Sequence, residues 1–487
     1  MIFTSPTFIF VFFPICVILY LISEICERFP AIKRIRLKDI ILIVFSLIFY
    51  VWSGWIDAIR LIAYVVIVYC LGLVISTEKR KLLQNSNENG AQKMPKHKLA
   101  LITCVVGLLA YLVFYKFVVT FDFNGFRLVN SFVLFTPLLG ISFIVFSTIS
   151  YLVDIYRGDA DGGSIIDCAL FITFFPKIIS GPIVLWKDFS KNAIERKTTL
   201  DNAMSGIVRI MIGFVKKLIL ADTFGTCLAL IGTQGIDQIT ALASIVLYFL
   251  QIYYDFAGYS DIAIGVSRIF GFDFKENFNF PYCSTSITEF WRRWHISLGT
   301  WFREYLYIPL GGNRKGKGRT LLNLAIVFTL TGIWHGTTLN YLLWGAINAV
   351  FVVVERLLKD TTFYKKTPSA IKWIFTTVTV MLFWQLFRFN DIGAMFKFFG
   401  VAFGFTEYAT VDYSWTYYLD KQVITFAIIG LLGATVLGIG KIREFTVKIY
   451  NTKVGYGICN IFLVILFVLS IIFMVNSSFS PFIYFQY

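Results

Sequence analysis

Apolar stretches of about twenty residues recur along the chain and alternate with short polar loops. A helix that crosses a bilayer needs about 20 mostly apolar residues, and the pattern predicts several such spans. They cover residues 7–25, 39–57, 58–76, 99–119, 136–153, 163–181, 237–254, 320–338, 341–357, 371–388, 423–440 and 456–475. The stretches 202–231, 255–272 and 287–310 are apolar but interrupted by charges and glycines, which is typical of tilted, interfacial or re-entrant helices buried in protein.

The composition agrees with an all-α, multi-pass membrane protein. Of the 487 residues, 57% are hydrophobic and only 15% are charged, against about 25% charged in an ordinary globular protein. So few charges cannot cover the apolar surface of a soluble protein of this size. The first ten residues lack the basic segment and the A-x-A site of a cleaved signal peptide, so we expect them to begin a retained first span.

Lysine and arginine determine the predicted orientation. The formal charge is +15, which in a soluble protein would suggest a nucleic-acid partner. Here the basic residues lie in short loops, at 26–38, 77–98, 311–319, 356–372 and 441–453, whereas 118–135 and 406–422 contain few of them. Because basic loops remain in the cytoplasm, the alternation predicts a plasma or inner membrane protein with both termini outside and no nucleic-acid partner.

Common catalytic and metal-binding motifs are missing from the sequence. The eight cysteines form no C-x-x-C or zinc spacing, and the three histidines form no H-x-x-x-H. We therefore predict neither a disulfide framework nor a metal site. The sequence also contains no P-loop and no G-x-S-x-G elbow.

His335 lies near the end of an apolar run, in the string LTGIWHG. It follows Arg319 by 16 residues, which is about 24 Å of helix, so an untilted helix places it in the outer half of the bilayer. Ionisable groups there are costly and usually functional. Burial favours a neutral imidazole, the form that a general base requires. The structural alternative is a histidine that a neighbouring helix satisfies.

His295 lies in a segment rich in tryptophan and arginine, STSITEFWRRWHISLGTWFREY. Ser286 and Glu289 form an S-x-x-E capping box, which predicts the start of a helix. A continuous helix places Trp291, His295 and Phe302 on one stripe beside a second aromatic stripe. An interfacial amphipathic helix explains the aromatic residues but explains the histidine poorly.

Two acidic residues, Asp255 and Asp261, lie within an apolar stretch and need partners there. The candidates are Arg268, Arg292, Arg293 and His295. For both carboxylates, a structural ion pair is favoured over a catalytic role.

The loop GGNRKGKGR combines glycines with four cations. Arg314, Lys315 and Lys317 are candidates to hold the phosphates of a cytoplasmic donor, together with backbone N–H groups. Taken alone, the loop favours a positive-inside anchor that touches anionic lipid.

Five strings in collinear order resemble the membrane-bound O-acyltransferase family, specifically its bacterial alginate O-acetylation branch. They are GISFIVFSTISYLVDIYRG (140–158), FFPKIISGPIVLWKDF (174–189), YYDFAGYSDIAIGVSRIFGFDFKENFNFPY (253–282), ITEFWRRWHISLGTWFREYLYIPLGGNRKG (287–316) and LTGIWHG (330–336). They span about 200 residues, and the chain beyond residue 360 is similar only in hydropathy.

The resemblance implies an O-acyltransferase with an all-α bundle of helices around a buried tunnel. His335 matches the family's near-invariant histidine, which acts as general base, and His295 matches the second histidine of this branch, near the reaction centre. The implied donor is a cytoplasmic thioester, acetyl-CoA, with no permanently bound cofactor. The implied acceptor is a hydroxyl of an extracytoplasmic polysaccharide, reached directly or through an SGNH-hydrolase-like extracytoplasmic acetyltransferase partner.

This interpretation divides the chain into N-terminal transmembrane helices (1–160), a catalytic core with interrupted helices (161–360) and C-terminal transmembrane helices (361–487). Two other functions stay open. One is D-alanyl transfer to teichoic acid from a carrier protein, since that branch shares strings like FWRRWH and WHG. The other is translocation of an acyl group without catalysis, although the chain shows no repeated halves of the kind that transporters have.

Overall fold

The computed structural model describes residues 1–85, 96–118, 137–233 and 235–476. Every regular element in these ranges is helical, as predicted. The N-terminal half forms α1 Phe13–Cys26, α2 Pro30–Ile35, α3 Leu37–Val51, α4 Trp55–Asn85, α5 Lys96–Val113, α6 Ile141–Arg157, α7 Ile165–Thr173, α8 Phe175–Ile178, α9 Trp186–Glu195, α10 Leu200–Phe214, α11 Asp222–Ile231 and α12 Gln238–Ile269. The C-terminal half forms α13 Ile287–Arg293, α14 Ile296–Phe302, α15 Gly316–His335, α16 Leu339–Leu358, α17 Thr362–Lys366, α18 Ser369–Phe383, α19 Gln385–Arg388, α20 Ile392–Ala402, α21 Trp415–Tyr418, α22 Lys421–Thr435, α23 Gly440–Tyr450 and α24 Lys453–Asn476. Turns of π-helix occur at Phe8–Phe12, Phe114–Val118, Val215–Ala221 and Arg303–Tyr307, and turns of 3-10 helix at Pro281–Cys283 and Val436–Gly438.

Within the described ranges, 8 helices are long and apolar enough to cross a membrane. They are Phe8–Cys26, Trp55–Thr77, Lys98–Lys116, Gln238–Ile269, Leu339–Leu358, Ser369–Arg388, Lys421–Gly438 and Lys453–Asn476. Each coincides with a predicted span, so the prediction of a multi-pass membrane protein is confirmed. Most of the loop 118–135, on which the predicted orientation partly depends, lies outside the described residues.

The remaining predicted spans form shorter or more polar helices. The span 39–57 overlaps the 15-residue helix α3, and 136–153 overlaps the 17-residue helix α6. The prediction of one span over 163–181 is wrong, because α7 ends at Thr173 and α8 restarts as a short helix around Pro176. Proline lacks the N–H that a continuing helix would use. Helix α15 has the length of a span, but Lys317 and Arg319 occupy its first turn.

The three interrupted stretches fold in different ways. The prediction of a separate segment over 255–272 is wrong, since most of these residues continue the 32-residue helix α12. Residues 202–231 form α10, a π-helical turn and α11 in direct succession. Residues 287–310 are divided into α13, α14 and the π-helical turn Arg303–Tyr307.

The chain divides into two compact units, and Met1–Ile207 with Ala263–Lys275 form the first. Its core contains a cluster of phenylalanine rings whose centroids lie 4.9 to 6.4 Å apart. The cluster consists of Phe3, Phe8, Phe12, Phe49 and Phe175. The Tyr20 hydroxyl donates to the Phe270 carbonyl oxygen at 3.0 Å, and Arg196 pairs with the buried carboxylate of Asp39. These contacts hold the 263–275 segment and α9 against the N-terminal helices.

Val208–Ile262 and Glu276–Tyr487 form the second unit, which contains all five predicted site residues. Within it, α15 and α16 form a tightly packed antiparallel pair. A Cβ atom on Gly345 would lie 2.6 Å from the Phe328 carbonyl oxygen and 3.0 Å from the Gly332 Cα. Only glycine permits so close an approach of two helix backbones. The pair therefore fixes the end of α15, where His335 lies, against α16.

Candidate active site

The start of α13 is stabilised by side chains from two elements. The Ser286 hydroxyl accepts the Glu289 backbone N–H at 3.0 Å, as the predicted cap requires. The Glu289 carboxylate bonds to Thr285, at 2.9 Å from its N–H, and so does not complete the predicted capping box on Ser286. The free N–H of Ile287 donates instead to the Glu355 carboxylate at 2.7 Å. Helix α16 thus supplies a cap for α13.

The predicted continuous helix through residue 302 is wrong. Helix α13 ends at Arg293, α14 begins at Ile296, and His295 adopts a left-handed backbone conformation with φ 45° and ψ 52°. This conformation is strained for a residue that is not glycine. The break separates His295 from the stripe on which the helical pattern placed it.

His295 is 2% exposed, and its Nδ1 lies 3.1 Å from the Asn277 Oδ1. The Phe256 ring packs edge-on against the imidazole, with centroids 4.7 Å apart. The junction lies outside the membrane-length helices, and burial lowers the pKa of His295 to about 3. The ring is therefore neutral at physiological pH, because desolvation penalises the imidazolium.

His335 is the last residue of α15 and is 5% exposed. Its ring centroid lies 4.7, 5.1 and 5.3 Å from those of Trp334, Phe387 and Trp344, respectively. The next residue, Gly336, leaves room for the Tyr341 ring, which a Cβ atom at this position would overlap. His335 therefore lies against an apolar wall of aromatic rings, and Gly336 permits a close approach of Tyr341.

Both histidines line one cavity of about 300 Å³ in the second unit. Its aromatic walls come from Trp291, Trp294, Phe302, Phe328, Trp344 and Trp384. Its charged lining residues are Arg292, Arg303 and Arg356, and no carboxylate is among the described residues that line it. A cavity that combines two histidines, an apolar wall and several guanidinium groups is suited to binding an anionic ligand and moving a proton.

The cations predicted to contact the donor lie beside this cavity. Arg314, Lys315 and Lys317 are exposed, and they are not among its lining residues. The residue before them, Asn313, does line the cavity and accepts the Tyr307 hydroxyl at 2.5 Å. The loop therefore adjoins the cavity through Asn313.

The two buried aspartates are ion-paired, but with other partners than those predicted. Asp255 lies 2.7 Å from Lys217 Nζ. Asp261 lies 2.8 Å from Arg209 and 2.7 Å from Lys216. Arg268, Arg292, Arg293 and His295 are not these partners, because α12 turns its carboxylates towards α10 and the π-helical turn that follows it. The prediction of structural ion pairing is confirmed.

Sequence reasoning missed three polar residues around the cavity. Asn277 bonds to His295, Glu355 caps α13, and Trp384 lines the cavity with an indole Nε1 that has no hydrogen-bond partner in the described part of the chain. Asn277 lies in the sequence FKENFNFPY, within the segment 253–282 that resembles the family, but no local pattern marks it. Its role depends on a contact with residues 18 to 20 positions away.

Comparison with known proteins identifies the class first. The chain is 36% identical over 520 residues to the probable alginate O-acetylase AlgI of Pseudomonas putida, with 100% of both chains covered. It is 30% identical over 438 residues to the peptidoglycan O-acetyltransferase of Helicobacter pylori, covering 82% of this chain and 79% of the relative. It is 32% identical over 287 residues to the teichoic acid D-alanyltransferase of Streptococcus thermophilus, covering 52% and 69%. Together with the membrane-length helices, these relatives define a multi-pass membrane acyltransferase.

The chain belongs to the membrane-bound O-acyltransferase family, whose sequence pattern matches residues 155–390. The matched region contains both histidines and the α15–α16 pair. The resemblance noted in the sequence is thereby confirmed, and the protein is an O-acyltransferase.

Proposed function

We propose that this enzyme moves an acetyl group from a cytoplasmic thioester, acetyl-CoA, to a hydroxyl of an extracytoplasmic polysaccharide, directly or through an SGNH-hydrolase-like partner. The observation that carries the proposal is the single cavity lined by His295 and His335. The named activities of the relatives support the class of acceptor.

In this mechanism His335 is the general base. Its imidazole takes the proton of the acceptor hydroxyl while the hydroxyl oxygen attacks the thioester carbonyl carbon. The resulting tetrahedral intermediate collapses with cleavage of the C–S bond. The departing sulfur takes the proton from the His335 imidazolium and leaves as a thiol. The rings of Trp334, Phe387 and Trp344 around His335 exclude water, which protects the thioester from hydrolysis.

The first test removes the base. His335→Ala in purified protein, reconstituted in lipid, should lower acetyl transfer from labelled acetyl-CoA to an oligosaccharide at least about 100-fold. His335→Gln, which keeps the shape but cannot take the proton, should fall equally. Transfer at the normal rate by protein that is present in normal amount would refute the assignment. The wild type, given the oligosaccharide but no partner protein, separates the catalytic function from translocation, since only an enzyme then cleaves the thioester and acetylates the hydroxyl.

The oxyanion of the intermediate needs a donor in the cavity, and Trp384 carries a suitable group. The side chain is 2% exposed, lines the cavity, and its Nε1 has no partner in the described residues. Trp384→Phe should lower kcat about 100-fold with little change in KM, as loss of one oxyanion donor does. Trp373→Phe is the matched control, because that Nε1 donates to the Tyr282 carbonyl at 2.9 Å. Equal kcat in the two variants would exclude this role for Trp384.

Phosphates of the donor have two sets of cations available, the lining residues Arg292, Arg303 and Arg356 and the exposed loop residues Arg314, Lys315 and Lys317. Guanidinium groups bind phosphate in bidentate fashion. Alanine at any residue that contacts the donor should raise KM for acetyl-CoA several-fold and leave kcat nearly unchanged, because the contact is the same in substrate and transition state. An unchanged KM in all six variants would remove both sets from the donor site.

The charge of the cavity favours acetyl over D-alanyl. A D-alanyl group carries an ammonium, which needs a carboxylate or a carbonyl cluster when it is desolvated. The described lining residues include three arginines and no carboxylate, so an uncharged acyl group fits better. Competition between acetyl and D-alanyl thioesters for the same reconstituted protein distinguishes the two, and D-alanyl transfer at a higher kcat/KM would reverse this conclusion.

A further inference from the structure

The hydrogen bonds around Asn277 determine which way its side-chain amide is oriented. The backbone N–H of Ser297 donates to the Asn277 Oδ1 at 3.2 Å, and the Ser297 hydroxyl lies 2.8 Å from the same atom. A backbone N–H requires an acceptor, so the atom it contacts is the carbonyl oxygen and not the amide nitrogen. That oxygen is also the atom 3.1 Å from His295 Nδ1.

This orientation fixes the tautomer of His295. A carbonyl oxygen only accepts hydrogen bonds, so Nδ1 must carry the proton that joins it to Asn277. In a neutral ring the other nitrogen, Nε2, then holds a lone pair. Nε2 is buried and has no hydrogen-bond partner in the described part of the chain.

The backbone around Asn277 supports the same arrangement. The Asn277 carbonyl oxygen accepts the Ile296 N–H at 2.9 Å, and the Asn279 N–H donates to the Arg293 carbonyl at 3.0 Å. These bonds flank the left-handed residue His295 on both sides. The strained backbone is thus held by residues 277–279, and the imidazole is held by the Asn277 side chain.

We propose that Asn277 is a positioning residue that locks His295 as the neutral Nδ1–H tautomer, so that His295 offers the substrates a hydrogen-bond acceptor at Nε2 and not a donor. The proposal rests on the proposed function in taking the cavity as the active site. Its ligand is an N–H or O–H group of the bound substrates, such as the amide of a pantetheine thioester or the hydroxyl of the acceptor. His295 is thereby excluded as a donor to the oxyanion.

Asn277→Asp is the informative variant. The carboxylate still accepts from Ser297 and His295, but its charge favours the imidazolium, which would place a proton on Nε2. The other titratable groups that share the cavity are His335, Arg292, Arg303, Arg356 and Tyr307, and none of the described lining residues is acidic. A change in the pH profile of Asn277→Asp can therefore be assigned to the new carboxylate beside the His295 imidazole.

The expected result is a change in the pH profile of acetyl transfer. In Asn277→Asp, the acid limb of kcat/KM should shift upward by about one pH unit or more, so that the ratio of variant to wild-type activity falls as the pH is lowered through that limb. Asn277→Ala, which leaves the tautomer unfixed, should lose at least about tenfold at every pH. Asn279→Asp is the matched control, because Asn279 is exposed and its side chain accepts from Arg443; its profile should follow the wild type.

A spectroscopic measurement tests the tautomer without activity. The chain has 3 histidines, so ¹⁵N-histidine NMR with His→Gln variants assigns each ring. Wild type should show a protonated, pyrrole-type Nδ1 and a pyridine-type Nε2 at His295. The opposite tautomer, or a pH profile of Asn277→Asp that superimposes on the wild type, would overturn the proposal. Activity that survives His335→Ala would instead overturn the proposed function and leave the tautomer measurement valid.

Discussion

Lys217 lies between two carboxylates in the second unit. Its Nζ is 2.5 Å from Asp222 and 2.7 Å from Asp255, and the lysine side chain is 2% exposed. A buried pair contributes little net stability compared with an apolar replacement of both partners, but removal of one partner leaves an uncompensated charge. The lysine is the shared partner of this group, so its loss is the most damaging change.

Lys217→Met should therefore lower the free energy of unfolding by about 3–5 kcal/mol. Asp255→Asn should lower the free energy of unfolding by less, because Asp222 still neutralises the lysine. Thermal unfolding of both variants in detergent, followed by tryptophan fluorescence, measures the difference. If Asp255→Asn is the more damaging of the two, the shared-partner interpretation fails.

His295 also makes stability depend on pH. Its pKa is about 3 in the folded protein, lowered by burial, and about 6.5 in the unfolded chain. Above pH 6.5 neither state binds this proton, whereas between pH 6.5 and 3 the unfolded state binds it and the folded state does not. Protonation of His295 in the unfolded chain should then lower the free energy of unfolding by about 1.4 kcal/mol for each unit by which the pH falls in this range. The His295→Gln variant should show a slope smaller by that amount between pH 6 and 4, and an unchanged slope would contradict it.

At the scale of elements, the position of α13 depends on a cap supplied by another helix. The Glu355 carboxylate accepts the N–H groups of Ile287 at 2.7 Å and Thr288 at 3.2 Å. Orphan N–H groups at a helix start need such acceptors, and a carboxylate also favours the positive end of the helix dipole. Because α13 carries Trp291 and Arg292 of the cavity, the cap connects α16 to the site.

Glu355→Ala should lower the free energy of unfolding by about 1–2 kcal/mol and also raise KM for the donor, because Arg292 loses its fixed position. Thr361→Ala is the control, since Thr361 caps the exposed helix α17 through the Tyr364 N–H at 3.3 Å. It should cost stability but leave KM unchanged. Unfolding measurements and steady-state kinetics on both variants test the distinction, and equal KM values would show that α13 keeps its place without Glu355.

The sequence predicted the helices better than their breaks. Apolar runs identify membrane-length helices because each must satisfy its own backbone in lipid. The break at Trp294 and His295 leaves no trace in the helical pattern, since the aromatic periodicity continues through it. What stabilises the break is a set of hydrogen bonds to Asn277, which come from a distant part of the chain. The partners of Asp255 and Asp261 could not be predicted for the same reason. His335 could be predicted, because a histidine within an apolar run is unusual in itself.

At the scale of the whole molecule, the distribution of cations predicts an orientation in the membrane. The exposed residues Arg314, Lys315 and Lys317 precede the apolar part of α15, and the segment 406–422 contains few basic residues. Positive charge is retained on the cytoplasmic side, so the two regions should lie on opposite sides.

Cysteine labelling tests this orientation. In a background without the eight native cysteines, a membrane-impermeant maleimide should label Tyr413→Cys in intact cells, because Tyr413 is 53% exposed in the segment predicted to lie outside. Lys317→Cys should react only after the membrane is permeabilised. The reverse pattern would invert the predicted orientation of both termini.

The contact of Gly332 with Gly345 limits how the enzyme can regulate access to its cavity. With the two backbones this close, α15 cannot slide along α16 without a steric clash, so His335 and Trp344 travel as one rigid body. A wider space between His335 and Trp344 would therefore require the two helix backbones to separate.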